Sequence, residues 1–445
     1  MKNWFRTARR ARWWIVVAAA GSFCEISGLA QNPDTEIQKQ IRQLQQQNDA
    51  LQQQLRKQGE VIDELNRKVL TMEAASERRA ESMAESSDGS ERTKGGFSFG
   101  KVHLSGEGGV GLFHSQPLGQ FPNTEFRVDE AKLFVEAPIW GEVYAFTEIN
   151  FFAREVPSAN VRVGELYLDF ENVSRLWRQD RQLNLRVGRF DIPFGEEYLT
   201  RDAIDNPLIS HSLMDLWGVD EGVEAYGALG PIQYVLAVQN GGHDALRDYN
   251  SDKAVIARIG ADPAKWLHTS ISAMRTGEID VENDEESELW LGSGFVRSLG
   301  SAATTVFEAN LLQGDVHLKF PHTTFKAAGG VLQYDDDDPA ANNEREVYYY
   351  SLEAVQKIYR RLYAAARWSQ VFAPEGFPIP GNGDVQRYYE DVLTERLWQL
   401  SLGLGYRFSD QLVLKAEYTF ARGNEIDGTP RDMEDMFAIE AAFAF

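Results

Sequence analysis

The residues best placed to do chemistry are charged ones set at alternate positions. Lys132, Arg186, Arg258, Arg367 and Lys415 sit in short runs where apolar and polar residues alternate, and so do Glu130, Glu148, Glu165, Asp169 and Glu224. Lys319, Glu353 and Glu417 follow the same rule. Alternation gathers such side chains on one face of a strand. A wet wall bearing both signs suits the sorting of ions and polar solutes rather than the making of bonds. Covalent chemistry has little footing: the seven histidines form no HExxH and no close ligand pair beyond the loosely spaced His317 and His322, and there is no GxSxG, P-loop or Rossmann fingerprint. Asp335 to Asp338 could share a divalent cation, but a solvated acidic loop is the simpler expectation, so no metal and no cofactor is assigned.

The most informative stretch lies between two alternating runs, Leu183–Val187 and Val223–Leu229. The residues between them, 191–220, carry no comparable pattern. A loop that long inside a compact domain is usually functional. It holds Asp191, Glu196, Glu197, Asp202, Asp205, Asp215 and Asp220 against a single fixed cation, Arg201. If the flanking strands belong to a closed barrel, the loop either lies outside or folds into the lumen and narrows it. In the second case its field repels phosphate unless those carboxylates are paired or point away.

The flanking elements are strands throughout. From Phe97 onward alternation dominates: Ala131, Leu133 and Val135 oppose Glu130, Lys132 and Glu136, and Trp398, Leu400, Leu402, Leu404 and Tyr406 oppose Gln399 and Ser401. The pattern predicts an all-β antiparallel transmembrane barrel over 97–445 with about 16 strands, or 18 if 288–297 and 302–311 are both strands. Short connections near Pro138, Gly230, Pro263, Pro321, Arg360 and Asp410 alternate with long ones, which assigns the short side to the periplasm. The chain closes on Phe437, Ile439, Ala441, Phe443 and Phe445, an apolar ladder suited to lipid.

The runs VGRFDIPFGEE and LWGVDEGVEAYG, together with this strand pattern and chain end, resemble the phosphate-selective porin O and P family. The resemblance implies an outer-membrane pore, a homotrimer, and anion transport along arginines with lysines at the constriction. The terminal Phe445 resembles the signal read by the barrel-assembly machinery.

Upstream, Lys2, Arg6, Arg9, Arg10 and Arg12 precede an apolar run from Trp13, and Gly28-Leu29-Ala30 fits cleavage before Gln31, so 1–30 reads as a signal peptide. Cys24, the only cysteine, would leave with it. Residues 31–75 read as a periplasmic coiled-coil helix: from Ile37 to Met72, nine of eleven a and d positions are apolar, with Asn48 fixing register at an a position. Residues 76–96 are a flexible, polar linker. The net charge of −22 argues against a nucleic-acid surface.

These features predict a passive diffusion pore for small hydrophilic solutes or ions in the bacterial outer membrane, with outer-membrane lipid as its solvent. A competing expectation is an envelope tether in which 37–72 contacts peptidoglycan or a periplasmic partner and the barrel only anchors. An enzyme on the barrel wall is a third.

Overall fold

The computed structural model describes residues 97–99, 101–152, 161–216, 218–241, 251–280, 299, 303–338, 343–388 and 392–445. The signal peptide, the coiled coil and the linker lie outside the described residues, as does the segment 288–297. In chain order the strands are β1 (Phe97–Phe99), β2 (Val102–Ser115), β3 (Glu125–Trp140), β4 (Val143–Phe152), β5 (Arg162–Phe170), β6 (Asn184–Asp191), β7 (Val219–Leu229), β8 (Ile232–Gln239), β9 (Ala254–Ala264), β10 (Leu267–Arg275), β11 (Ile279–Asp280), β12 (Val306–Lys319), β13 (Thr323–Asp336), β14 (Arg345–Tyr359), β15 (Leu362–Phe377), β16 (Thr394–Ser409), β17 (Leu412–Glu425), β18 (Pro430–Arg431) and β19 (Met436–Ala444).

Each long strand pairs antiparallel with the next, and β19 returns to pair with β2, which closes the sheet on itself. The cycle contains sixteen strands; β1, β11 and β18 are short additions outside it. The alternative of eighteen does not hold: the cycle closes with sixteen, and β12 runs unbroken from within 302–311 on to Lys319. Among the described residues no helix is long and apolar enough to cross a membrane.

Closure explains why these residues are strands. A sealed cylinder leaves no free edge, so every long strand has its backbone groups paired on both sides. The two faces then meet different surroundings. On β16, Leu402, Leu404 and Tyr406 are exposed outward while Gln399 and Ser401 are buried inward. On β19, Phe437, Ile439 and Phe443 are exposed while Glu440 is buried. Repeated around the cycle, this gives a continuous outer apolar band far larger than a water-soluble protein carries.

The short connections share one end. Gly141 and Gly230 supply the positive φ those tight turns require, at 54° and 65°. The connection 171–183 at the same end is longer and carries a short 3₁₀ helix, Val173–Trp177. There the Asn172 side chain orders the chain by accepting from the Arg181 N–H at 2.8 Å and donating to Asp180 at 2.7 Å. The long connections, including 192–218, leave from the opposite end.

The closing seam is packed by rings over glycines. Gly106 and Phe445 exchange backbone hydrogen bonds of 3.1 and 2.9 Å, and a Cβ at Gly106 would lie 2.6 Å from the Phe445 ring and 2.8 Å from the Lys132 carbonyl. The backbone oxygen cannot move aside cheaply. Gly106→Ala should therefore cost about 1–3 kcal/mol, read as a lower unfolding temperature of the detergent-folded barrel; unchanged heat stability would show that the seam is not tightly packed.

Candidate functional site

The interior is organised by residues 192–218. Pro193 follows the end of β6 and cannot continue a ladder, and the chain turns inward instead of outward. Ile192, Phe194, Leu213, Met214 and Leu216 pack with wall residues Ile256, Leu311, Tyr349 and Phe377 in one buried cluster. Ala203, Ile204 and Leu208 form a second with Tyr363, Ala365, Val413 and Ala442, and Ile209 joins Phe113 and Phe121 in a third. The segment thus supplies much of the barrel's apolar core.

Its backbone is held by charged and hydroxyl side chains of the wall. Lys415 donates to the carbonyls of Ala203 at 2.7 Å and Leu208 at 2.9 Å and pairs with Glu440 at 2.8 Å, both side chains almost fully buried. Arg367 donates to the Ser210 carbonyl at 2.7 Å and the Asn206 side chain at 3.1 Å, and Glu353 holds it in place at 2.9 Å. Arg258 reaches the Gly195 carbonyl at 2.7 Å and Arg407 the Ile204 carbonyl at 2.9 Å. Glu417 accepts from the N–H groups of Ile209 and Ser210 and from the Ser210 hydroxyl. Glu130 accepts the Ala203 N–H at 2.7 Å.

The acidic residues of the segment are mostly engaged as well. Glu196 lies between His268 at 2.7 Å and His317 at 3.4 Å. Glu197 accepts from the Ser212 N–H at 2.9 Å and its hydroxyl at 2.5 Å. Asp202 pairs with Lys132 at 2.5 Å, and its carbonyl accepts the Asp205 N–H. Arg201 and His211 hold Asp215 at 2.8 and 3.2 Å. Asp191 and Asp220 are the first and second residues outside the segment: the Asp191 N–H donates to Glu165 at 3.2 Å, and Asp220 accepts from Gly241 at 2.8 Å.

The remaining wall positions face inward across the cylinder from β15 and β17. Arg186 sits between Asp169 at 3.1 Å and Glu224 at 3.4 Å, over the Tyr167 ring, and Tyr226 donates to Asp169 at 2.9 Å. Glu148 and the buried Glu165 lie on the inner faces of β4 and β5. Lys319 is exposed at the short-turn rim. His317 meets Glu196 rather than His322. Several inward residues escaped sequence reasoning, among them Glu107, Asp315, Lys326 and His268; their positions in alternating runs carried the signal.

Glu107, Glu130 and Asp202 form the one described group of carboxylates close enough to share a metal ion. The Lys132 ammonium stands among them, at 3.4, 3.8 and 2.5 Å, and supplies the positive charge itself. The run at Asp335 also serves the chain: Asp337 accepts from the N–H groups of Thr305 and Val306, and Asp336 from Thr304 and Asn343. These carboxylates cap the start of β12.

Burial and neighbouring charge together set the titration of the segment. Glu197 is raised above the ordinary carboxylate range by burial and by Asp215. Burial also works to raise Asp215, but Arg201 and His211 hold it well below that range. For Glu196, burial is likewise outweighed, chiefly by His317.

No family model and no curated protein matches this chain in sequence. Among solved structures it is similar to in-vitro folded OmpT, an outer membrane protein of Vibrio cholerae, at 11% identity and TM-score 0.53, over 79% of this chain and 99% of that one. It is also similar to the outer membrane channel DcaP of Acinetobacter baumannii, at 13% identity and TM-score 0.52, over 79% and 99%, and to OprB of Pseudomonas putida, at 9% identity and TM-score 0.50, over 77% and 93%. At these identities the likeness is one of fold: the chain has the closed-barrel architecture of outer-membrane porins and channels.

Two outcomes follow from the anchoring. Lys415→Met leaves Glu440 and the loop carbonyls without their buried partner, at a cost of about 3–5 kcal/mol, and should expose Arg201 to trypsin while the intact protein resists; equal resistance would show that the segment is held elsewhere. With folded pKa values below the ordinary range, Asp215 and Glu196 contribute stability above about pH 4 and lose it as the pH falls further. Glu197, shifted upward, has the opposite sign and is relieved as the pH falls. Hydrogen-exchange protection of amides in 192–218 should therefore persist from pH 7 to about 5 and drop below about 4.

Proposed function

We propose that the chain is a porin of the bacterial outer membrane, a passive channel for small hydrophilic solutes narrowed by residues 192–218. The observation that carries this reading is the pair of opposed faces: an unbroken apolar exterior that only lipid satisfies, around an interior lined by charge and crossed by one anchored segment. The thermodynamics of such a wall leaves a wet path as its natural use.

The porin O and P resemblance would make the solute an anion such as phosphate. The balance of charge favours the other sign. Inward carboxylates, among them Glu107, Glu148, Glu165, Asp169, Glu224 and Asp315, outnumber the inward ammonium and guanidinium groups, and most of those cations are committed to carbonyls or carboxylates. We infer that the channel passes cations in preference to anions. A signal peptide over 1–30, a periplasmic coiled coil over 31–75 and homotrimeric assembly belong to the same proposal and rest on the sequence and its resemblance. One of the similar solved structures is the trimer form of Vibrio cholerae OmpT.

Purified protein in planar bilayers should give stepwise conductance, with a reversal potential across a KCl gradient that reports cation preference. Silence from well-folded protein would sink the porin reading, and an anion-selective potential would sink the carboxylate argument alone.

A further inference from the structure

Between the segment and the wall of β12 to β15 lies a small, partly open chamber. Its lining carries both signs in near balance: Glu196, Glu197, Asp315 and Glu353 against Arg201, Lys326 and Arg367, with His211 and His317 beside them. The rest of the described interior is acidic, so this balance is local.

Most of these charges are spent on holding the segment. Arg201 is bound to Asp215 and Arg367 to Glu353, Ser210 and Asn206, while Glu196 and Glu197 take His268 and Ser212. Two groups are not. Lys326 donates to the Thr200 hydroxyl at 3.0 Å and has two further ammonium hydrogens. Glu353 uses one carboxylate oxygen for Arg367, whereas its Oε1 is buried without a hydrogen-bond partner and 3.8 Å from the Lys326 ammonium. Glu353 itself is only 7% exposed. A buried carboxylate oxygen left unbonded is costly. Lys326 and Glu353 are direct cross-strand partners, and the Ser351 hydroxyl lies on the same face.

We propose that this chamber is a binding site for a small dipolar ion, a solute whose ammonium and carboxylate sit on one carbon, as in an α-amino acid. The solute carboxylate accepts from Lys326 and Ser351, and its ammonium donates to Glu353 Oε1. A lone anion meets Asp315 and Glu353, and a lone cation meets Lys326 and Arg367, so each is opposed where a dipolar ion is not. The lining includes no Phe, Tyr or Trp ring on which a sugar could stack. The inference deepens the channel reading by naming the class of solute that pauses in the passage.

The test uses full-length protein folded in detergent, with ligand-observed saturation-transfer NMR of glycine, glycinamide and acetate, beside bilayer conductance of the same preparation. Glycine should show saturable transfer exceeding that of glycinamide and acetate, and Lys326→Met should weaken it about tenfold or more. Ser351→Ala, which removes only the second carboxylate donor, should weaken the signal in a barrel of unchanged heat stability. Equal signals from the three probes, or glycine binding untouched by both variants, would overturn the site even where the channel conducts. Glycine binding without conductance would instead keep the site and sink the channel reading.

Discussion

A peptide segment drawn into a barrel carries its amides and carbonyls with it, and each must find a partner or incur a desolvation cost of about 1–3 kcal/mol. That requirement governs the interior of this protein. Residues 192–218 form little regular structure of their own, so the wall supplies the partners: lysine and arginine for carbonyls, glutamate for N–H groups. Lys415 is the clearest case, meeting carbonyls of Ala203 and Leu208 while Glu440 balances its charge. Such a group is stabilising only as a complete set, because any one member left behind is a buried, uncompensated charge.

The same requirement explains why the wall bears both signs. A pore lined only for selectivity would concentrate one sign at its narrowest level. Here wall cations meet several of the segment's carbonyls and carboxylates, Glu130 and Glu417 meet amides, and the Ser272 and Ser369 hydroxyls take others. Glu417 and Lys415 stand on one strand, two residues apart, and grip the same stretch of chain from opposite ends of the hydrogen bond. What anchoring leaves over is the acidic excess of the β4 to β7 wall and the spare bonding capacity of the Lys326–Glu353 pair.

Outside, the constraint is reversed. The band of leucine, valine and aromatic side chains has no internal partner, and closure of the sheet leaves it facing away from the axis at every strand. The β19–β2 seam shows how closely the cylinder is sealed, with Phe443 and Phe445 seated over Gly108 and Gly106. Large rings on one strand occupy the space that absent side chains leave on its neighbour.

Period-two alternation by itself determined the barrel, its antiparallel order and the face each residue occupies, because those follow from backbone pleat and from the contrast between apolar and wet surroundings. It therefore placed Lys415 and Arg367 inward, and Leu402 and Phe443 outward. It did not determine what the inward charges touch. Lys415 meets Ala203 across 212 residues of chain, and the path that brings them together is set by packing within 192–218, where no period exists to be read. Which groups a carboxylate meets is likewise a tertiary property: Asp215 and Glu353 look alike in sequence, and the folded interior sets Arg201 and His211 against one and Arg367 and Lys326 against the other.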